Sequence, residues 1–410
     1  MDITIALPKD VYILRPAERQ DVRIDFEQYN IYFRNIILPY REEFDVRVEC
    51  EFGSNHGDFW RIEKFPYDRN SFPLTLRVYD DLGEKIGEKS CTVRLSDKSK
   101  SEEFSLMAVG DSMTHSLIYV EHVVHKLNNV KTRGIRTYDN NIFVEGRGGW
   151  RYDEYFNSVT FKTGGASPFL FPKGVEGKDY FGDYDFEVAV KKSPDRHTYV
   201  CDGLPILELS DGMIYHKEGK LYKRENGKDV LFSDSVEWEF SFAKYVERFN
   251  PGKIDAVSLL MGANDLGNAT YEESDAIVSK YLDYTDRFIT EIHKYDPNIK
   301  VIINLPIVGT EQYSWGVKEG CGLQGSKLYK FKVIKAANGI IERFTDRKNV
   351  YISSMLLNFD PEFGFDKESY RANIYTDKFV EKHADWVHPN RNGYMQMGDS
   401  LAAVIEAIRP

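Results

Sequence analysis

The chain has 410 residues, 42% hydrophobic and 29% charged, a balance that argues against a disordered or collagen-like polypeptide. At roughly 150 residues per domain it has room for two or three. Its net charge of −11 argues against a nucleic-acid partner, because phosphate recognition rests on dense Lys and Arg contacts. No run reaches the ~18 apolar residues of a membrane span, so no integral membrane segment is expected. The opening Met1-Asp2-Ile3-Thr4-Ile5-Ala6-Leu7-Pro8-Lys9 lacks the basic-then-apolar pattern of a signal peptide. The expected location is cytoplasmic, or secreted with a leader already removed. Aromatic residues are frequent at 14%, and such rings fill cores more often than they stack on ligands. Cys50, Cys91, Cys201 and Cys321 have no CxxC spacing, which points away from a zinc site or a disulfide framework. Cys50 and Cys91 both fall in apparent strands and are expected as reduced thiols, although a pair between them is open.

In chain order, residues 46–50, 74–79 and 91–95 alternate apolar and polar side chains, with Asp80-Asp81-Leu82-Gly83 as a turn. Short strands separated by turns predict a small β-sandwich over residues 1–101. The polar stretch 96–103 is the predicted linker. The rhythm changes at Phe104. Residues 104–109 read as a buried strand followed by Gly110-Asp111-Ser112, and a helix pattern runs from about 114 to 127. Residues 255–261 form another buried strand, then a helix at about 272–294, a strand at 300–305, a helix at about 327–345 and a strand at 350–353. A terminal helix begins near Tyr394. Strands alternating with helices predict an α/β fold with a parallel sheet covered on both faces over residues 102–410. Such sheets bind ligands beyond the carboxyl ends of their strands, which points at Ser112 and Gly262. The stretch from about 157 to 240 is too long for a bare loop and is read as an insertion, either a lid or substrate platform or a surface excursion.

Acyl transfer needs a serine activated by a base, a carboxylate to orient that base, and preorganised donors for the oxyanion. Ser112 follows a buried strand and opens a helix; taken alone, such a serine is a helix cap. Asp385-Trp386-Val387-His388 puts a carboxylate three residues before an imidazole, a separation that lets them meet on a loop or a single turn. Gly262-Ala263-Asn264-Asp265 ends a strand and brings Asn264 near Ser112. Gly146-Arg147-Gly148-Gly149-Trp150 allows the backbone to approach a ligand closely.

Each block alone reads as a turn or a cap; the four in order resemble the SGNH (GDSL-like) hydrolase superfamily, whose blocks contribute Ser, Gly, Asn and His. Gly110-Asp111-Ser112-Met113 matches the first, with Met where Leu is frequent. Gly149 best matches the second, beside Gly146 and Gly148. Gly262-Ala263-Asn264-Asp265 matches the third and Asp385-Trp386-Val387-His388-Pro389 the last. The resemblance covers residues 104–410. It implies a three-layer α/β/α, flavodoxin-like domain with Ser112 as nucleophile, His388 as general base and Asp385 as its orienting carboxylate. It also implies an oxyanion hole made by the Ser112 and Gly149 N–H groups and the Asn264 amide. The Gly-x-Ser-x-Gly elbow of α/β-hydrolases is absent around Ser112.

No cofactor or metal is expected. His115, His122 and His125 share one predicted helix, but no HExxH pattern or third ligand accompanies them. His383 fits no block, and the glycines at 146, 148 and 149 lack the third position and the context of a dinucleotide loop. His115 is instead expected to line the crevice, and Trp150 to flank a sugar beside the oxyanion glycines. With the aromatic-rich insertion and the appended sandwich, these features favour removal of O-acetyl groups from a carbohydrate, the partner being a small-molecule or oligosaccharide ester. A lipid-ester or thioester hydrolase is the nearer alternative and a non-catalytic glycan-binding protein the other; oligomeric state is not legible.

Overall fold

The computed structural model describes residues 2–16, 28–137, 142–159, 166–182, 198–201, 204–205, 209–267, 270–310 and 327–410. Cys321, the side chain of Cys201 and much of the 157–240 stretch lie outside the described residues.

Six parallel strands form the central sheet: β1 (Phe104–Gly110), β2 (Val130–Arg133), β3 (Glu145–Gly146), β4 (Ala256–Leu260), β5 (Lys300–Asn304) and β6 (Val350–Ser353). Their order is β2-β1-β4-β5-β6, with β3 pairing the carboxyl end of β1. Every residue of β1 and β4 is buried, so these strands are covered on both faces and show no alternation. Among the described residues from Phe104 on, the α-helices are α1 (Ser112–His115), α2 (Ile118–Lys126), α3 (Tyr152–Asn157), α4 (Phe242–Phe249), α5 (Ser274–Tyr295), α6 (Lys327–Phe344), α7 (Met355–Asn358) and α8 (Arg391–Ile408). Helices α2 and α8 pack together, whereas α5 packs against α3, α4 and α6. In α5 the buried Val278, Tyr281, Thr285, Phe288, Ile289 and Ile292 recur every three or four residues, one face of a helix turned to the core.

The order reverses at β1, which has β2 on one side and β4 on the other. The carboxyl ends of β1 and β4 therefore flank the crevice where doubly wound sheets bind ligands.

The helix pattern at 114–127 is interrupted in the structure. Leu117 takes a left-handed backbone with φ 66°, so α1 stops after one turn and α2 starts afresh. Helix α8 starts at Arg391, ahead of Tyr394, because the Asn390 side chain accepts the Gly393 N–H and fixes the first turn. Helix α4 has no counterpart in the sequence-based reading. Ser241 caps it, and Asn250 ends it at φ 41°.

Asp10–Arg15, Lys85–Asp97, Ser71–Tyr79 and Asp45–Glu49 form a four-stranded sheet, and Tyr29–Tyr32, Phe59–Ile62 and Ser54–Asn55 a three-stranded one. Asp45–Glu49 alternates exposed and buried residues as its pattern requires. Helix α8 packs on Asp10–Arg15 and Lys85–Asp97, and one hydrophobic core runs through both halves of the chain. The expected linker is anchored: the Ser99 and Lys100 amides donate to the buried Glu406 carboxylate of α8 at 3.0 and 3.1 Å. Cys50 and Cys91 are free thiols. Within 157–240, Leu170–Pro172 pairs Trp238–Phe240, and Tyr180–Phe181, Ile214–Lys217, Lys220–Glu225 and Lys228–Ser233 make a four-stranded sheet.

Candidate active site

Strand β1 delivers Ser112 to the crevice by way of Gly110 and Asp111. The helix cap is Asp111, not the serine: its Oδ1 accepts the Met113 N–H at 3.0 Å. Ser112 is left as the first helical residue with its hydroxyl turned outward. His388 reaches it from the other end of the sequence, with Nε2 2.9 Å from the Ser112 Oγ. On the far side of the ring, Nδ1 lies 3.0 Å from Asp385 Oδ2.

Asp385 is held by its own loop. Its Oδ1 accepts the Val387 and His388 N–H groups at 2.8 and 2.9 Å, so the carboxylate is locked before it meets the ring. Burial opposes its charge, yet the hydrogen bonds from the His388 ring and from these two amides together hold it below the usual carboxylate range. The hydrogen bond to Asp385 raises His388 above its ordinary value, against the opposing effect of burial. With Nδ1 donating to Asp385, Nε2 is an acceptor facing the serine hydroxyl.

Two loops close the other side. Gly149 sits at φ +77°, a conformation that favours glycine, and a Cβ there would meet nothing within 4 Å. The Asn264 Nδ2 donates to the Trp150 carbonyl at 3.0 Å, and the next residue, Asp265, accepts the Tyr152 N–H at 2.9 Å through Oδ1. The loop after β4 is thereby fastened twice to the loop after β3. An amide has two hydrogens, and the Trp150 carbonyl takes one of those on Asn264.

Ser112, His388 and Asp385 come together from distant stretches of chain, and Asn264 is tied to the loop of Gly149 through the Trp150 carbonyl. Trp150 does not serve as a sugar platform. Its ring is 1% exposed, packed edge-on against Tyr155 at 5.0 Å and beneath the Arg147 guanidinium. His115 closes α1 beside the glycine loop, its Cδ2 3.9 Å from where a Gly148 Cβ would stand. His122 turns away to Asp399 on α8 at 2.7 Å, and His383 contacts the Glu362 carbonyl at 3.1 Å. Among the described residues, no group of three or more His, Cys, Asp or Glu is placed to hold a metal.

Two buried carboxyls had no role in the sequence-based reading. Burial pushes Asp111 up to about 6 and Asp265 up to about 7. Both stand inside the quoted motifs, next to the serine and the asparagine, so the signal was present without a stated function. Glu145, just ahead of the glycine motif, was likewise passed over.

Residues 236–401 match the GDSL-like Lipase/Acylhydrolase family, a span that holds Asn264, Asp385 and His388 but begins after Ser112 and Gly149. No curated protein matches the sequence. Among solved structures, a lipase/acylhydrolase from Enterococcus faecalis is 13% identical, covering 74% of this chain and 96% of its own, with a TM-score of 0.33. A family 3 carbohydrate esterase from Talaromyces cellulolyticus is 15% identical over 74% and 96%, with a TM-score of 0.33. The carbohydrate acetylesterase Est24 from Sinorhizobium meliloti is 11% identical over 75% and 100%, with a TM-score of 0.34. Over residues 236–401, then, the chain is similar to the GDSL-like lipase/acylhydrolase family.

Proposed function

We propose that this protein is a serine esterase that removes O-acetyl groups from a carbohydrate. The observation that carries the esterase reading is the continuous relay from Ser112 Oγ through the His388 ring to Asp385, at 2.9 and 3.0 Å. Ser112 attacks the ester carbonyl as Nε2 of His388 takes its proton, and Asp385 stabilises the imidazolium. The oxyanion is received by the Ser112 and Gly149 N–H groups and the second Asn264 amide hydrogen. His388 then protonates the departing alcohol, and water, deprotonated by the same ring, releases the acid.

The N-terminal sheets, residues 1–101, are read as an accessory β-sandwich. The stretch at about 157–240 is read as an insertion facing the substrate, and His115 as a residue lining the crevice. With Trp150 buried, the carbohydrate preference rests on the aromatic-rich insertion and the accessory sheets, and a lipid ester or thioester is the competing substrate.

Initial rates on p-nitrophenyl esters from acetyl to octanoyl, with wild type and Ser112→Ala, test this reading. Activity confined to short chains and abolished in the variant supports it and leads to acetylated glycans. A preference for long chains transfers the proposal to lipid esters. Equal activity in the variant removes Ser112 as nucleophile.

A further inference from the structure

Beneath the glycine loop lies an ion pair that no step of the reaction uses. Glu145 and Arg147 are two apart on an extended segment, so their side chains leave the same face. Both are 0% exposed, with Arg147 Nη1 2.7 Å from Glu145 Oε2. The second Glu145 oxygen accepts the Ile135 N–H at 3.0 Å and the Tyr245 hydroxyl at 2.5 Å. Arg136 Nη1 donates to the Gly146 carbonyl between them at 2.6 Å.

The same segment is tied to the strand that carries the nucleophile. The Arg147 N–H donates to the Gly110 carbonyl at 2.9 Å, and the Tyr155 hydroxyl stands 2.8 Å from that carbonyl and 2.5 Å from the carbonyl of Glu145. The Arg147 carbonyl then accepts the Trp150 N–H at 3.2 Å, closing the turn that contains Gly148 and Gly149. The guanidinium lies 5.4 Å over the Trp150 ring, and the Trp150 carbonyl is the acceptor that orients Asn264. Gly149 and Asn264 are thus both set by the placement of Arg147.

A buried ion pair is a poor means of stabilising a fold, since well-packed apolar residues of similar volume do as well or better. Its value here is directional: the guanidinium is held through Nη1 by one carboxylate oxygen, whose partner oxygen is fixed by Ile135 and Tyr245, and its plane lies over the Trp150 ring, which leaves the turn one position. We infer that Glu145 and Arg147 are positioning residues that hold the Gly149 N–H and, through Trp150, the Asn264 amide at the geometry of the oxyanion. This inference rests on the reading of Ser112 as nucleophile.

The double variant Glu145→Gln/Arg147→Met tests it, because removing both charges together leaves neither one buried and unpaired. Three quantities are measured: thermal unfolding, kcat and KM on p-nitrophenyl acetate, and inhibition by phenylboronic acid. The boronic acid accepts the serine oxygen on boron, as the serine proton passes to histidine, and so presents a tetrahedral oxyanion mimic. The folded variant is expected to keep KM within about twofold while kcat and boronate affinity both fall about tenfold or more. Wild-type kcat and boronate affinity in a folded variant overturn the inference. Should the double variant fail to fold, Arg147→Lys, which keeps the charge and loses the planar guanidinium over the Trp150 ring, is read by the same split. Unchanged kcat in that variant overturns the inference equally. If wild type resists the boronic acid and Ser112→Ala retains activity, the failure lies with the nucleophile and not with the ion pair.

Discussion

In the proposed mechanism the imidazole of His388 has to be neutral to take a proton from Ser112, and Asp385 makes that harder by raising its affinity for protons. The acid limb of kcat/KM is therefore expected above 6.5, the ordinary histidine value. Asp385→Asn removes the interaction that raises it, so the limb should move to lower pH while the plateau collapses. A limb that stays in place in this variant would dissociate Asp385 from the base. Asn264→Ala is expected to lower kcat roughly a hundredfold or more with the fold intact, the usual loss for one oxyanion donor; a melting curve and a steady-state assay decide this together. Sequence reading located these side chains because each sits in a short motif at a strand end. It could not say which way Trp150 faces. Adjacency to Gly149 puts the residue in the crevice region, but Tyr155, five residues on in Tyr152–Asn157, and Arg147 pull the ring inward.

Among the elements, the contact between β3 and α1 tolerates no side chain at Gly146, where a Cβ would overlap backbone atoms of Thr114 and His115. Gly146→Ala is expected to destabilise the protein by about 1–3 kcal/mol, the usual range for overpacking, and to disturb the turn carrying Ser112. Urea unfolding alongside kcat reads both effects. The loops after β3 and β4 also share a titration. Asp265 is held protonated by burial up to about pH 7, whereas an unfolded chain releases that proton near 3.8. Between these values the folded state binds more protons, so this group's contribution to stability falls as pH rises. Asp265→Asn keeps the acceptor for Tyr152 N–H and should lower the Tm less than wild type loses between pH 5 and pH 8. Equal pH sensitivity in the two proteins would show that Asp265 titrates normally. The helix pattern at 114–127 was legible, but its break at Leu117 was not, because the left-handed turn follows from packing of Leu117 and Tyr119 in the core.

Across the whole molecule, the two halves share packing and polar contacts. Tyr29 and Ser354 hydroxyls meet at 2.6 Å, the Asn30 N–H reaches Asn358 at 3.1 Å, and Asn35 donates to the Leu356 and Phe359 carbonyls at 2.9 and 2.8 Å. Glu406 and Arg409 near the C-terminus hold the segment at Ser99 and Lys100. A chain truncated to residues 102–410 strips the cover from one side of α8 and is expected to be insoluble or to melt far below the full-length protein. A soluble, active truncation would instead establish the first hundred residues as an independent module.

The candidate site residues and the central α/β alternation were readable from sequence by itself. A buried strand, an amphipathic helix, a capped turn and a four-block motif are all properties of neighbouring residues, and backbone periodicity imposes them locally. Tertiary structure decided what depends on residues far apart in the chain. It set the union of Ser112 with His388, 276 positions on, and the burial of Trp150. It also set the Glu145–Arg147 pair under the oxyanion turn and the seat of α8 on the N-terminal sheet. Those outcomes turn on which surfaces exclude water from one another, and close packing of distant segments, not spacing along the chain, determines that.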